Sequence, residues 1–472
     1  MNKELQARLR KGLAENRAVV DLQAELVSQG FMEDEVAEAI QDLQAPERSR
    51  DQKKNIKLIT VKEVLDRVGY GFAPVQFINI LFYLTGAGFF LIGIINGLKA
   101  ILSLIISSFL QEYSKISRVS KKFMSKTGIL FGLSFLFIAL AVVIKSLPLF
   151  ALALLAGSVG VVTYGDLYNR MVEQTLKKER MSRFLLRISH YGVLITGASF
   201  IVSGFLFDKF PMMNAVRMSI LGKSLPVCGY LIAFEITAIV FILSGYVLHY
   251  VKEKRGEVAR VKGFLSDYLH RINSEAKYFF QNKYLLTLLL ASAIIGLVQV
   301  LGNSYYGIFI FEQFRLMGFG GFLNVAVIFT FAIIVSFLGP AFSRYLNKKV
   351  GLAPTLVFGT LLLAMMPLVA AYNPHFMSVS IANAFSVLGA AILGMGQGLL
   401  IRKLLKEKQR KLYFAAVSIL VVIPFIILIP LGSWVAQAYG LRLLFKVLAA
   451  VLLLIAAPLY FALVVMANKR RL

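Results

Sequence analysis

The sequence predicts an all-α integral membrane protein with twelve transmembrane helices, arranged as two pseudo-symmetric six-helix bundles behind a small cytoplasmic helical module. Three observations predict this class. The 472 residues are 58% hydrophobic with a mean hydropathy of +0.73, whereas about half apolar is usual for a soluble chain. Apolar runs long enough to cross about 30 Å of hydrocarbon recur from residue 72 onwards. A charged connection of similar plan occurs twice, at 164–205 and 397–432, and indicates an internal duplication.

The apolar runs and the charges between them predict the topology. The predicted spans are 75–92, 94–113, 124–144, 147–167, 189–207, 227–250, 284–311, 319–345, 352–372, 377–400, 413–439 and 443–466. Lys and Arg are sparse in one set of connections and concentrate in the other set, at 115–126, 170–183, 252–262, 344–349 and 402–411. Because cytoplasmic loops are rich in Lys and Arg, both termini are predicted to be cytoplasmic and the span count even. The expected location is the cytoplasmic membrane of the cell.

The same patterns divide the chain into six segments. A polar segment with two helical apolar patterns precedes the spans, and its Gly30-Phe31 pair lies between the two predicted helices. A charged stretch with amphipathic spacing separates the sixth and seventh spans. The predicted segments are a helical module 1–55, an amphipathic lead-in 56–74, a first bundle 75–250, a cytoplasmic linker 251–283, a second bundle 284–467 and a basic tail 468–472.

Composition and motifs exclude several functions. A formal net charge of +26 would indicate nucleic-acid binding in a soluble protein, but here the basic residues lie between apolar runs, as in membrane loops. The one cysteine, Cys228, and four scattered histidines show no metal-ligand spacing, and no GxxxxGK[ST] phosphate loop occurs. We therefore predict no enzyme activity, no catalytic residue, no metal, no cofactor and no nucleic-acid partner. The predicted partners are the lipid bilayer and a small-molecule substrate, and the predicted state is a monomer.

Ionisable side chains inside the spans are functional candidates, because a charge at mid-membrane costs about 2.5–3.5 kcal/mol on insertion scales. Glu235 in the sixth span is interpreted as a proton-coupling carboxylate or as a structural carboxylate bonded to another span. Lys99 in the second span is expected to pair with Glu235, to attract an anionic substrate or to snorkel to the outer interface. The inner-gate candidates, at or beyond the inner ends of spans, are Asp166, Arg170, Arg344 and Arg402.

Polar and aromatic side chains of the spans are expected to line a solute cavity, since amides supply hydrogen bonds and rings supply apolar surface. The alternative is hydrogen bonding between packed helices. The cavity candidates are Asn79, Tyr83, Gln299, Asn303, Tyr305, Tyr306 and Asn383. Glycines of the fourth and tenth spans are expected at close helix contacts or at a gate, namely Gly157, Gly160, Gly165, Gly389, Gly394, Gly396 and Gly398.

Six spans, a charged linker and six further spans resemble the major facilitator superfamily. The segment Gly339–Lys349 is similar to the loop signature of that family, with Ser343 at the position of its aspartate. Residues 108–115 are a weaker first-half copy of the same signature. Residues 439–445 resemble the GWRxxF turn of the family, with Leu441 in place of tryptophan. The resemblance covers residues 72–467.

This resemblance implies secondary active transport of a small solute, by alternating access around a cavity lined by the first, fourth, seventh and tenth spans. Without a phosphate loop, transport is expected to follow a gradient or to run downhill. Proton coupling and efflux of an apolar or amphiphilic compound are the expected variants. The alternative is a non-transporting sensor that signals to a cytosolic protein through residues 1–55, whose Gly30-Phe31 turn resembles ubiquitin-associated or helix-turn-helix modules.

Overall fold

The fold is known from a computed structural model, which describes residues 9, 19–29, 31, 33–116, 121–175, 178–211, 216–220, 223–252, 281–405 and 407–469. Its elements are α1 (Val19–Ser28), α2 (Glu33–Phe72), α3 (Val75–Leu84), α4 (Phe89–Ile116), α5 (Lys121–Val143), α6 (Leu147–Thr175), α7 (Lys178–Lys209), β1 (Val216–Ile220), β2 (Lys223–Val227), α8 (Gly229–His249), α9 (Lys283–Phe314), α10 (Gly321–Ser336), α11 (Gly339–Lys349), α12 (Leu352–Leu363), α13 (Met365–Tyr372), α14 (Phe376–Leu404), α15 (Glu407–Tyr439), α16 (Leu441–Val451), a π-helical turn (Leu452–Ala456) and α17 (Ala457–Lys469). Residues 1–8, 10–18, 30 and 32 of the predicted module 1–55, and residues 253–280 of the predicted linker 251–283, lie outside the described residues.

Ten helices of the described residues are long and apolar enough to cross a membrane, and α10 with α11, bent by 43°, makes an eleventh span. Pro340 lies in the first turn of α11 and, having no N–H, cannot continue the helical hydrogen bonds of α10. We assign the remaining span of a twelve-helix fold to α2 and α3, which meet at Pro74. The spans are numbered 1 (α2–α3), 2 (α4), 3 (α5), 4 (α6), 5 (α7), 6 (α8), 7 (α9), 8 (α10–α11), 9 (α12–α13), 10 (α14), 11 (α15) and 12 (α16–α17). Inner and outer ends follow the predicted cytoplasmic termini.

The predicted boundary between the first two spans is wrong. We expected spans at 75–92 and 94–113, but the helices end at Leu84 and resume at Phe89. Gly86 in this turn has φ of 112°, in the left-handed region that glycine adopts without steric cost. The error arose because the intervening residues are apolar throughout, so hydropathy alone does not show where the chain turns.

The assignment of residues 56–74 to a lead-in outside the bundle also needs correction. The C-terminal part of α2 packs against α7 and α8, inside the first bundle. Ile59 in this part is fully buried. The charges of α2 made it resemble an interfacial segment, whereas its Lys62 and Asp66 neutralise each other inside the protein.

One element was not predicted. The connection between spans 5 and 6 forms an antiparallel hairpin of β1 and β2, in which Val216 pairs with Val227 and Ile220 with Lys223. It lies at the outer end of the bundle, so the membrane-crossing part described by the structure remains all-α.

The two bundles meet along four pairs of spans, 1 with 7, 2 with 7, 2 with 11 and 5 with 8. Aromatic rings fill the junction of spans 1, 5 and 8. Phe77 packs edge-on against Phe200, Phe207 and Phe322, with ring centroids 4.9, 4.9 and 5.2 Å away. Such edge-to-face pairs stabilise beyond their buried area, so this junction is a firm contact between the bundles.

Candidate functional site

A chain of hydrogen bonds crosses from the first bundle to the second between spans 2, 1 and 7. The Lys99 ammonium donates to Asn96 Oδ1 at 3.3 Å, and the Asn96 amide donates to Asn79 Oδ1 at 3.0 Å. The Asn79 amide then donates to the backbone carbonyl of Asn303 at 3.2 Å. We call these four residues the Lys99 string. Asn79 is 1% and Asn96 8% exposed, so these bonds satisfy polar groups that water does not reach.

Lys99 lies near the middle of the membrane, about 15 Å from the outer end of α4. Leu98 and Ile105 are exposed and mark the lipid-facing side of this helix. Lys99 points about 100° around the helix from Leu98 and is half-buried. Among the described residues, no carboxylate oxygen lies within 4 Å of its ammonium. Asn96 is therefore the polar group that holds it.

Three of the predicted site residues, Lys99, Asn79 and Asn303, are thus brought together. Asn96, which connects Lys99 to Asn79, was not among the predicted site residues. The available signal was its position three residues before Lys99 in an apolar run, since residues at i and i+3 share a helix face. Single-residue scanning of each span does not reveal such a pair.

Aromatic side chains close the outer side of the string. Tyr305 is fully buried, and its hydroxyl donates to the Phe89 carbonyl at 2.8 Å. The Tyr83 ring stacks on the Phe89 ring at 5.6 Å. Tyr306 is buried and packs against Phe445 of span 12 at 5.2 Å, away from the string. Of the three predicted tyrosines, Tyr83 and Tyr305 therefore lie beside the contact between the bundles.

Two predicted amides of span 7 share one face. Gln299 and Asn303 are one helical turn apart, on the far side of α9 from the exposed Leu290. Asn303 is exposed and Gln299 is half-buried on this face. Asn383 of span 10 is buried instead, and its amide nitrogen has no hydrogen-bond partner in the part of the chain that the structure describes.

The remaining predicted site residues are not brought together. Glu235 is exposed on span 6, about 9 Å from its outer end, and the structure records no ion pair between it and Lys99. The side chains of Asp166 and Arg170 lie outside the described residues. Arg344 and Arg402 are exposed, and Arg344 Nε donates to a carbonyl of its own helix at 3.2 Å. Their coupling and gating roles stay predictions.

The inner ends of spans 4 and 10 border open space. A Cβ built on Gly165, Gly394 or Gly398 would meet no atom of the described residues within 4 Å. The other glycines of these spans pack closely on neighbouring helices, at Gly157, Gly160, Gly389 and Gly396. The predicted glycines therefore form two groups: Gly157, Gly160, Gly389 and Gly396 contact neighbouring helices, and Gly165, Gly394 and Gly398 face open space.

This division predicts opposite effects of the same substitution in span 10. A Cβ at Gly389 would lie 2.5 Å from the Gly359 carbonyl, so Gly389→Ala is expected to destabilise by about 1–3 kcal/mol. Gly394→Ala meets open space and is expected to stabilise the helix by up to about 1 kcal/mol. Unfolding in detergent, followed by circular dichroism, measures both. Equal effects at the two positions would contradict the division.

The outer side is closed by a contact between the bundles. Asp208, at the outer end of span 5, accepts hydrogen bonds from the backbone amides of Phe322 at 3.0 Å and Leu323 at 2.7 Å. These are the first amides of α10, so a carboxylate of one bundle caps a helix of the other. Gly320, with φ of 122°, allows the close approach, because an added Cβ would lie 2.6 Å from Asp208 Oδ2. We call this contact the Asp208 latch.

A second outer contact joins spans 2 and 11. The Phe90 amide donates to Gln437 Oε1 at 3.3 Å, and a Cβ on Gly93 would collide with Ser433. With the Asp208 latch, the outer ends of spans 2 and 5 are held against spans 11 and 8. The described residues therefore show bundles joined at the outer side and open space at the inner ends of spans 4 and 10.

Comparisons with known proteins agree with this architecture. A scan against protein-family models gives no match, and a search of curated proteins finds no similar sequence. The solved nucleoside transporter NupG is 12% identical, with a TM-score of 0.64 over 87% of this chain and 98% of that chain. A bacterial homologue of the iron transporter ferroportin in the inward-facing state is 16% identical, with a TM-score of 0.60 over 87% and 98%. This chain has the major facilitator fold.

A bacterial homologue of the human lysosomal transporter Spinster, in an inward-facing and unoccupied conformation, is also similar. It is 16% identical, with a TM-score of 0.59 over 89% of this chain and 97% of that chain. At such identities the likeness extends to the major facilitator fold and not to the solute. The predicted N-terminal module of ubiquitin-associated or helix-turn-helix type has no counterpart in these findings and stays a prediction.

A buried ion cluster lies in the first bundle of this major facilitator fold. Lys62 and Asp66, 2% and 5% exposed, form an ion pair at 2.7 Å. The Lys62 ammonium also lies 3.1 Å from the centre of the Tyr168 ring of span 4. Asp66 accepts from Ser244 of span 6, whose hydroxyl lies 2.9 Å from the Tyr164 hydroxyl. The cluster therefore binds spans 1, 4 and 6 together.

The spacing of charged residues in α2 is a sequence signal for this cluster. Lys62 and Asp66, like Glu63 and Arg67, are four residues apart, the spacing at which opposite charges meet on a helix. Both pairs form, Glu63 with Arg67 at 3.9 Å. The signal shows that the charges can neutralise each other, which is the condition for placing them in a bundle.

Proposed function

We propose that the protein is a secondary active transporter, which moves a small solute by alternating access between its two bundles. The observation that carries the proposal is the asymmetry of the contacts. The Asp208 latch holds the outer ends together, while Gly165, Gly394 and Gly398 border open space at the inner ends. The Lys99 string lies between these two levels. An access path from one side to a polar site in mid-membrane is what alternating access requires.

The path can be tested without knowing the solute. Cys228 is the one cysteine of the chain and is buried, so Cys228→Ser gives a cysteine-free background. In that background we expect Gly398→Cys to react with a membrane-impermeant maleimide added from the inner side. A matched cysteine in place of Ala382, which is buried on the same span, is expected to react far more slowly from either side. Equal reaction of Gly398→Cys from both sides, or reaction only from outside, would contradict an inner access path.

Transport itself is tested in sealed proteoliposomes under an imposed pH gradient, with a panel of sugars, organic anions and lipophilic cations. Movement of any member supports transport. Proton coupling through Glu235 is a separate proposal: Glu235→Gln is then expected to remove the dependence on the gradient and to leave downhill exchange. If no panel member moves and deletion of residues 1–55 changes binding of a cytosolic protein, the sensor alternative replaces the transporter.

A further inference from the structure

We propose that the transported solute carries a carboxylate and that Lys99 binds it, an inference that rests on the proposed transport function. The positive charge of Lys99 lacks a described acidic partner. Its ammonium is half-buried about 15 Å from the outer end of span 2, where an uncompensated charge is costly. Among the described residues no carboxylate oxygen lies within 4 Å, so no acidic side chain there compensates it.

The hydrogen bonds of the Lys99 string all run in one sense, with each donor on the side of Lys99 and each acceptor on the side of Asn303. Asn96 presents its oxygen to Lys99 and its amide nitrogen to Asn79, and Asn79 presents its nitrogen to the Asn303 carbonyl. The acceptor oxygens of both amides therefore face the Lys99 end of the string. An ammonium has three donors, and Asn96 takes one. Among the described residues, no acceptor is recorded for the other two, which we assign to the oxygens of a bound anion.

A single lysine limits the chemical class of the anion that can bind. A single lysine is a compact point charge, whereas phosphate recognition is typically helped by arginine forks or by several cations. The uncharged groups at this junction of spans 1, 2 and 7 are amides and rings: Asn303 is exposed and Gln299 half-buried on span 7, and Tyr83 and Tyr305 contact Phe89 of span 2. One positive charge among amides and aromatic rings suits a monoanion with an apolar body, such as an aromatic or aliphatic carboxylate.

The string also couples this site to the contact between the bundles. When the Lys99 ammonium turns toward a carboxylate, its bond to Asn96 weakens, and Asn96 holds the Asn79 side chain that reaches span 7. Anion binding is therefore communicated from span 2 through span 1 to the second bundle. Because a ligand shifts a conformational equilibrium only through such differential contacts, the string gives binding a way to change the bundle contact.

The test uses the purified full chain in detergent with matched probes: benzoate and octanoate against benzamide and octanamide. We expect the carboxylates to raise the unfolding temperature of the wild type and of Lys99→Arg, and the amides to leave it unchanged. Lys99→Gln is expected to weaken carboxylate binding at least tenfold. Octanoate is also expected to change the labelling rate of Gly398→Cys. Asn96→Ala keeps the charge of Lys99, so it is expected to keep carboxylate binding but to lose this change in labelling.

Three results would overturn the inference: stabilisation of the wild type by neither carboxylate, equal stabilisation by carboxylates and amides, or equal carboxylate binding by Lys99→Gln. Unliganded unfolding temperatures establish that Lys99→Gln is folded, and Lys99→Arg provides a charged comparison if it is not. The two proposals fail separately. If neutral solutes are transported and Lys99→Gln has no effect, the transport function stands and the carboxylate site is contradicted. If carboxylates bind but no solute moves in vesicles, the binding site stands and the transport function is contradicted.

Discussion

Lys62→Met is expected to destabilise the folded protein by about 3–5 kcal/mol, because it leaves the Asp66 carboxylate buried without its cation. Burying an ion pair is costly, but removing one partner is costlier than removing both, since the remaining charge keeps its full desolvation penalty. The lost contact of the ammonium with the Tyr168 ring adds to the effect. Denaturant unfolding in detergent, followed by circular dichroism, measures the change.

Two comparison variants make this result specific to the cluster. The double variant Lys62→Met with Asp66→Leu is expected to recover most of the lost stability, because no unpaired charge remains. Lys57→Met, on the exposed side of the same helix, is expected to change stability by less than about 0.5 kcal/mol. If the double variant were as unstable as the single one, the ion pair would not be the cause. Transport is not needed for this measurement.

Asp208→Ala is expected to weaken the outer closure and to shift the protein toward a state open to the outside. It removes two hydrogen bonds to the first amides of α10, a helix-capping contact worth about 1–2 kcal/mol. A change of that size shifts a two-state equilibrium by about 5–30-fold. We therefore expect labelling of Gly398→Cys from the inner side to fall, because opening outside accompanies closure inside.

Graded variants separate this shift from a general loss of stability. Asp208→Asn keeps one acceptor oxygen and is expected to give an intermediate effect. Gly320→Ala, whose added Cβ would lie 2.6 Å from Asp208 Oδ2 at a φ of 122°, is expected to act like Asp208→Ala. Unchanged inner labelling in both alanine variants would show that the Asp208 latch does not hold the outer side closed.

The sequence by itself determined the membrane class, the two-bundle plan and most span positions. These properties depend on hydropathy and on charge between apolar runs, which are local along the chain. It also singled out Lys99, Asn79 and Asn303, because a polar group in an apolar span is conspicuous wherever it packs. Their hydrogen-bond partners were not predictable in the same way, since Asn79 and Asn303 are separated by 224 positions.

Only the tertiary structure decided which polar groups satisfy one another. Lys62 and Asp66 lie in the segment 56–74 that was predicted as an amphipathic lead-in, and packing against spans 4 and 6 places them in the bundle. Asp208 was not among the predicted site residues, because its partners lie 114 and 115 positions away in the sequence. A hydropathy profile adds up the transfer free energies of single residues. The free-energy cost of a buried charge depends instead on the residues next to it in space, and these come from other spans.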